Sequence, residues 1–172
     1  MFRVVSKFFA PLALVLTGML VHPASATDLP SPASPVVLRV SGEIAHTNMD
    51  DEAHFDLPML QALGAEKIRT DTPWDEGVVT YEGVPLSALM AALGANPEII
   101  VVQGLDGYEA EIPAEDFSRF GVILAWSRDG ELMPVRGKGP LRVMYPFDSD
   151  GILGTEKYSA RAVWQVDRVI VK

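Results

Sequence analysis

A basic, glycine-rich segment is the part of this 172-residue sequence with the clearest capacity to bind a ligand. It reads Arg136-Gly137-Lys138-Gly139-Pro140-Leu141-Arg142, and Arg128 lies shortly upstream. Arginine and lysine side chains attract anions, and glycines leave backbone N–H groups open to one. The segment lacks the complete phosphate-loop pattern and does not clearly precede a helix. It indicates a site for a small anion or, alternatively, a surface loop whose cations balance neighbouring acids.

A second candidate is the loop at residues 70–77, which reads TDTPWDEG and combines three carboxylates with a tryptophan. Paired carboxylates can exchange protons or bind a cation, and binding residues are frequent on loops. The alternative is a solvated turn whose tryptophan is folded onto the core. The loop contributes four candidate ligand-binding residues, Thr70, Asp71, Thr72 and Trp74.

Two further groups of residues have both a functional and a structural interpretation. Tyr145, Tyr158, Arg161 and Trp164 can line a pocket, with Tyr145 as a candidate ligand contact, or can belong to the core. Residues 148–151 read DSDG, like the start of a calcium loop, but the full spacing of such a loop is missing. A glycine-containing turn is the preferred interpretation of that segment.

The sequence contains no cysteine, which excludes thiolate metal ligands and cysteine nucleophiles. His46 and His54 are the histidines that remain beyond residue 26, too few for an all-histidine zinc site. Both lie in one early segment, so the sequence indicates no Ser–His–Asp triad. We therefore assign no metal ligand and leave the catalytic residues unknown.

The first 26 residues have the three parts of a secretory signal peptide. Arg3 and Lys7 precede an apolar stretch at 8–21, and Ala24-Ser25-Ala26 is a cleavage site of small residues. The apolar stretch is shorter than the roughly 20 residues of a membrane-spanning helix. We expect cleavage after Ala26, a periplasmic protein and no membrane insertion afterwards.

Beyond the signal peptide, residues 27–35 form a Pro/Ser-rich tether and residues 36–172 form one domain. Of 14 Lys and Arg residues, Arg3 and Lys7 are lost with the signal, leaving 12 against 23 Asp and Glu, a net charge of −11. Such a surface repels nucleic acid, which excludes it as a partner.

The candidate residues lie on or between short elements. Apolar runs predict strands at 36–40, 66–72, 78–81, 99–103, 108–112, 122–126, 131–135, 141–145 and 163–171. Residues 41–53 read as a loop, and Glu82-Gly83 reads as the end of the third strand. Asp-Gly pairs at 106–107 and 129–130 predict two hairpins. Three short helices are expected, the first capped by Asp56 and the second beginning at Pro85. This content is typical of an α+β domain.

Four segments in this order resemble the sulfite oxidase, or molybdopterin-dependent oxidoreductase, family. They are Trp74 with residues 82–90 (EGVPLSALM), residues 124–134 (LAWSRDGELMP), residues 139–146 (GPLRVMYP) and residues 162–169 (AVWQVDRV). The resemblance covers about residues 36–172. It implies a sulfite-oxidase-like molybdopterin-binding fold with mixed and antiparallel sheets, and it places Arg142 at a cofactor-facing position.

The resemblance also implies what this chain lacks. Family enzymes ligate molybdenum through a cysteine in the loop that here reads Thr70-Asp71-Thr72-Pro73-Trp74. The family's His-Gly before the Pro-Leu-Arg motif is Gly137-Lys138, the Asn of its hairpin is Asp129, and a family lysine is Trp164. Molybdopterin is therefore implied by the family and disfavoured by the missing thiolate.

Three functions follow from these observations. The first is a non-catalytic, periplasmic relative that binds a small anionic or pterin-like ligand through Arg128, Arg136, Lys138 and Arg142, with Trp74 as a wall. The second is a molybdopterin-dependent oxidoreductase with a non-cysteine ligand. The third is an interaction module, the exported partner of a membrane sensor or of a redox enzyme. The expected partners are thus a small anion or another envelope protein.

Overall fold

The computed structural model describes residues 29–172, so the predicted signal peptide lies outside the described residues. Ten strands run through this part of the chain. They are β1 (Val36–Gly42), β2 (Ala53–Asp56), β3 (Glu66–Asp71), β4 (Val78–Pro85), β5 (Ile99–Gly104), β6 (Glu109–Pro113), β7 (Ile123–Arg128), β8 (Glu131–Leu132), β9 (Arg142–Met144) and β10 (Val166–Val171).

Four short α-helices and two 3₁₀ turns connect these strands. The helices are α1 (Leu57–Ala62), α2 (Leu86–Ala92), α3 (Glu115–Phe120) and α4 (Glu156–Arg161), and the 3₁₀ turns are Val135–Gly137 and Gly151–Gly154. Asp56 caps α1 as expected, because its carboxylate accepts a hydrogen bond from the Met59 N–H at 3.0 Å. No helix within residues 29–172 is both long and apolar enough to cross a bilayer.

The first sheet has the order β2-β1-β10-β5-β6. Its β1–β10 pair is parallel and its other pairs are antiparallel, which confirms the expected mixture. Hairpin β5–β6 forms around the Asp106-Gly107 turn, where Gly107 has a φ of 83°. Because glycine adopts a positive φ without steric cost, the Asp-Gly pair in the sequence correctly predicts this turn.

The second sheet has the order β3-β4-β7-β8, and β9 pairs with β7. It positions the candidate site, because the loop from β3 to β4 holds residues 72–77 and β9 holds Arg142. One hydrophobic core joins residues of both sheets and of the helices, among them Val40, Tyr81, Leu89, Val102 and Val143.

Three sequence expectations need correction. Strand β4 continues past Glu82-Gly83 to Pro85, because residues 81–85 pair with β7 and a bulge is accommodated there. A Cβ at Gly83 would overlap the backbone of Leu124 and Ala125, so glycine permits this close approach. Part of the expected loop at 41–53 belongs to β1 and β2, and α4 is a fourth helix where about three were expected.

Residues 29–35, part of the predicted tether, contact the domain. The Asp56 carboxylate accepts hydrogen bonds from the backbone N–H groups of Ala33 and Ser34 at 2.8 and 2.9 Å. The Asn48 side chain donates to the Pro30 carbonyl at 2.7 Å. The carboxylate that caps α1 therefore also fixes the chain that enters β1.

Candidate ligand-binding site

The centre of the site is the carboxylate of Asp75, whose side chain is only 3% exposed. Its Oδ2 atom accepts hydrogen bonds from the Thr72 hydroxyl at 2.7 Å and from the Tyr81 hydroxyl at 2.6 Å. The same oxygen lies 3.5 Å from Arg142 Nη1, and Oδ1 lies 3.3 Å from Arg128 Nη1. Two hydroxyls and two guanidinium groups thus surround one carboxylate.

The ionisation of Asp75 and Tyr81 follows from this arrangement. Burial by itself raises the pKa of Asp75, but hydrogen bonds from Tyr81 and Thr72 and the charges of Arg142 and Arg128 outweigh burial. The net result is a pKa of Asp75 below its usual 3.8. Burial and the hydrogen bond to Asp75 raise the pKa of Tyr81 to about 12. Asp75 is therefore charged and Tyr81 is a neutral donor near neutral pH.

Arg142 is the most deeply buried cation of the site, with a side chain that is 1% exposed. Its Nη1 donates to the Tyr81 hydroxyl at 3.0 Å. Three aromatic rings lie against the guanidinium, with ring centres 5.1 Å away for Trp74, 5.4 Å for Tyr81 and 5.5 Å for Trp164. Burial lowers the pKa of Arg142, whereas Tyr81 and Asp75 act against that effect.

Two nitrogens of Arg142, Nε and Nη2, are buried and have no hydrogen-bond partner among residues 29–172. They form one edge of the guanidinium fork, the edge that can donate to two oxygens of one carboxylate or oxyanion. Buried donors normally have partners, so two unpartnered nitrogens on one edge indicate capacity for an additional acceptor.

Lys138 joins the site from the glycine-rich loop. Its φ of 71° follows the 3₁₀ turn, and its ammonium lies 4.4 Å from the centre of the Trp164 ring. The same ammonium is 3.5 Å from the Trp74 carbonyl oxygen. Burial, together with repulsion from Arg142, lowers the pKa of Lys138. The loop is fixed next to the start of β10 because the N–H of Gln165, the residue before that strand, donates to the Lys138 carbonyl at 3.1 Å.

Five of the nine sequence-predicted residues therefore come together around Asp75: Thr72, Trp74, Arg128, Lys138 and Arg142. Arg136 is exposed and forms no ion pair within residues 29–172. Thr70 and Asp71 instead hold the turn at 148, since Thr70 Oγ1 accepts from the Asp148 N–H at 3.3 Å. The Asp71 N–H is 3.4 Å from an Asp148 carboxylate oxygen.

Tyr145, the ninth predicted residue, belongs to a second buried cluster. Its hydroxyl donates to Asp116 at 2.8 Å, and Arg161 Nη1 donates to the same carboxylate oxygen at 2.6 Å. Burial and the hydrogen bond to Asp116 raise the pKa of Tyr145. The Phe147 ring lies between the clusters, 6.1 Å from the Tyr145 ring and 5.4 Å from the Trp74 ring.

Sequence reasoning did not select Tyr81 or Asp116 as site residues, and it mentioned Asp75 only as one of three loop carboxylates. Alternate residues of β4 are buried, among them Val79 and Tyr81. This alternation is a weak indication that the Tyr81 side chain points into the interior. The partners of Asp116 are distant in sequence, so no local pattern indicates them. The 148–151 segment forms a turn that leads into a 3₁₀ turn, and residues 29–172 contain no cluster of three His, Asp or Glu that could hold a metal.

An open, largely apolar pocket of about 250 Å³ adjoins the Asp75 site. Trp74 and Trp164 line both the pocket and the guanidinium of Arg142. Tyr108 forms another wall and donates through its hydroxyl to the Ala160 carbonyl at 2.8 Å. The indole rings therefore separate an apolar pocket from a cationic interior, an arrangement suited to a small ligand with an apolar body and an anionic end.

The family model for the oxidoreductase molybdopterin binding domain matches residues 58–152. The chain belongs to this family, which confirms the resemblance to sulfite oxidase-type proteins. The match includes Asp75, Arg128, Lys138 and Arg142 and stops before Trp164. No curated protein matches the sequence.

The structure is similar to the crystal structure of the sulfane dehydrogenase SoxCD from Paracoccus pantotrophus. The TM-score is 0.56 at 21% sequence identity, over 78% of this chain and 37% of that chain. This similarity confirms the predicted α+β, molybdopterin-binding-type fold. The chain spans little more than a third of the length of the protein it matches.

The residues around Arg142 do not fit a molybdenum-bearing pterin. The site offers carboxylate, phenol and hydroxyl oxygens, whereas the chain has no cysteine to supply a soft thiolate. Asp75 already faces Arg142, and Trp74 and Trp164 pack against the guanidinium. The fold is therefore that of the family, while the donor set at its centre is different.

Proposed function

We propose that this protein is a periplasmic, small-ligand-binding module of the sulfite-oxidase type that acts without molybdenum catalysis. The observation that carries the proposal is the excess of positive over negative charge at the Asp75 site. Three cations, Arg128, Lys138 and Arg142, surround one carboxylate, and two buried nitrogens of Arg142 lack an acceptor in the described part of the chain. In a chain of net charge −9, such a concentration of positive charge favours an anionic ligand.

The ligand class follows from the two halves of the site. An oxyanion or carboxylate would accept hydrogen bonds from the Arg142 edge and lie near Lys138. An apolar body would occupy the adjoining pocket against Trp74 and Trp164. Because Arg142 is almost completely covered, ligand entry requires movement of a covering ring. Trp164, 37% exposed, is the more accessible of these rings.

The experiment is a thermal unfolding titration of the protein, expressed with its own leader and purified from the periplasm. Sulfate, phosphate and benzoate are the probes, with chloride at matched ionic strength as the reference. We expect at least one probe to raise Tm, since a ligand of the folded state stabilises it by mass action. A response indistinguishable from that of chloride for all three probes would contradict the anion site.

Two variants and a matched control locate the response. Arg128→Gln and Lys138→Gln each remove a partly exposed cation of the site, and we expect each to reduce the Tm shift. Arg136→Gln removes a cation of the same segment that lies outside the site, and we expect it to keep the wild-type response. Equal loss in all three variants would indicate a general charge effect instead.

A second candidate function, binding of another envelope protein, is favoured by an exposed apolar patch beside the pocket. Leu105, Tyr108 and Trp164 are 54%, 48% and 37% exposed. The Leu105 N–H donates to the Gln165 carbonyl at 3.0 Å, which keeps Leu105 next to Trp164. Clustered exposed apolar residues are typical of interaction surfaces. A partner cross-linked to the wild-type protein in the periplasm should be lost with Tyr108→Ser and retained with Val135→Ser, an exposed apolar control.

A further inference from the structure

The loop at residues 72–77 places a side-chain carboxylate at the point where the site's donors converge. Thr72, Tyr81 and Arg142 all point at the Oδ2 atom of Asp75, and Arg128 reaches Oδ1. Two hydroxyls and two guanidinium groups form a receptor for a small carboxylate. The hydroxyls donate short hydrogen bonds of 2.6 and 2.7 Å to a charged acceptor, and the guanidinium nitrogens lie at ion-pair distances of 3.3 and 3.5 Å. The Asp75 side chain, which belongs to the same protein, fills that receptor.

We propose that Asp75 is the resident anion of the site, an internal ligand that holds the binding machinery in place when no external group is bound. This inference deepens the proposed function, because it concerns the same site and states what keeps that site formed. It also explains how the family fold retains Arg142 without the family's cofactor. The carboxylate supplies the negative charge that a buried guanidinium requires.

The same loop connects the Asp75 carboxylate to the covering tryptophan. The Trp74 N–H donates to Thr72 Oγ1 at 3.3 Å, and Thr72 Oγ1 donates to Asp75. The Trp74 ring packs edge-on against Phe147 and Trp164, at ring-centre distances of 5.4 and 5.9 Å. Loss of the carboxylate therefore also loosens the ring that covers Arg142, and tryptophan fluorescence reports that change.

The test is chemical rescue of Asp75→Ala by formate, the smallest carboxylate. Removing one member of a buried ion pair is strongly destabilising, and we expect Tm to fall by about 10 °C. The vacated space still faces Thr72, Tyr81 and Arg142, so formate should raise the Tm of the variant more than that of the wild type. Formate should also move the tryptophan emission of the variant back towards that of the wild type.

The matched control is the double variant Asp75→Ala/Arg142→Met. Without the guanidinium, formate has no buried cation to pair with, and we expect no rescue. The proposal is overturned if Asp75→Ala keeps the wild-type Tm, or if formate stabilises the variant no more than it stabilises the wild type or the double variant.

A second variant covers the case in which Asp75→Ala does not fold. Asp75→Asn keeps the volume of the side chain and removes its charge, so we expect a lower midpoint in urea unfolding and no response to formate. A wild-type midpoint for Asp75→Asn would overturn the proposal. These experiments are independent of the titration of the wild type. If sulfate, phosphate and benzoate all fail to raise the Tm of the wild type, rescue of Asp75→Ala by formate still tests the role of Asp75.

Discussion

Asp75 and Asp116 are both buried carboxylates that pair with an arginine and a tyrosine, yet their surroundings differ. Asp116 has one guanidinium and one phenol, and both donate to a single oxygen at 2.6 and 2.8 Å. Asp75 has two guanidinium groups, a phenol and a hydroxyl, with Lys138 nearby. Two nitrogens of Arg142 have no partner within the described residues 29–172. The first cluster is balanced, whereas the second retains donors for another acceptor. This difference separates a structural ion pair from a candidate binding site.

The position of each cluster supports the same distinction. Asp116 lies at the start of α3 and joins that helix to Tyr145, the residue after β9, and to Arg161 of α4. Asp75 lies on a loop beside an open pocket, between strands of the second sheet. A carboxylate that connects a helix to a neighbouring segment needs only enough donors to satisfy it. Ligands, in contrast, are usually bound by loops beside a pocket.

The largest expected difference between the clusters is the cost of losing the arginine. We expect Arg142→Met to lower the free energy of unfolding by about 4 kcal/mol, because it removes the buried cation that pairs with Asp75 and that packs against the Trp74, Tyr81 and Trp164 rings. The cation that remains beside Asp75, Arg128, is 45% exposed. Arg161→Met should cost about 2 kcal/mol, since the Arg161 side chain is 14% exposed and Asp116 keeps its bond from Tyr145. Urea unfolding of both variants measures the two values. A greater loss in Arg161→Met would reverse the comparison.

The tyrosine hydroxyls provide the next largest contrast. The Tyr81 hydroxyl donates to Asp75 and accepts from Arg142, whereas the Tyr145 hydroxyl donates only to Asp116. Hydrogen bonds to charged groups contribute about 1.5–3 kcal/mol each. We expect Tyr81→Phe to cost about 3 kcal/mol and Tyr145→Phe about 2 kcal/mol in chemical unfolding. Equal costs would argue that the Tyr81 hydroxyl does not bridge the ion pair.

The smallest effect concerns stability in acid. Asp75 has a folded-state pKa below its usual 3.8, so the unfolded chain binds the proton first as the pH falls. Its stabilising contribution is present above about pH 4 and decreases as the pH falls through the folded-state pKa. Arg128, Arg142, Lys138 and Tyr81 are the groups that face it. We expect Asp75→Asn to show a shallower decline in unfolding free energy below pH 4 than the wild type, and an identical slope would contradict this.

Part of this arrangement could be predicted from the sequence. The rest could not, because it depends on local backbone geometry that residue types do not show. Residue types alone selected Trp74, Arg128, Lys138 and Arg142, because cations and a loop tryptophan are conspicuous in an acidic chain. They could not separate Lys138 from Arg136. The turn at Val135–Gly137 and the positive φ of Lys138 direct one side chain towards Trp164 and leave the other exposed.

The errors in the predicted elements have a similar origin in tertiary pairing. Glu82-Gly83 looks like a turn, but pairing with β7 extends β4 through a bulge that tolerates only a small residue. Helix α4 has a polar sequence, and it is held by the burial of Tyr158 and by the Arg161–Asp116 pair. Neither contact is visible in a window of neighbouring residues.

We propose that this family fold holds the Asp75 carboxylate against Arg142 and binds no molybdenum-bearing pterin there. The most direct measurement is native mass spectrometry of the protein purified from periplasm after growth with molybdate, with metal analysis of the same sample. We expect the mass of the bare polypeptide and no molybdenum. A mass increment matching a pterin, with one molybdenum per chain, would contradict it and would favour an oxidoreductase with a non-cysteine ligand.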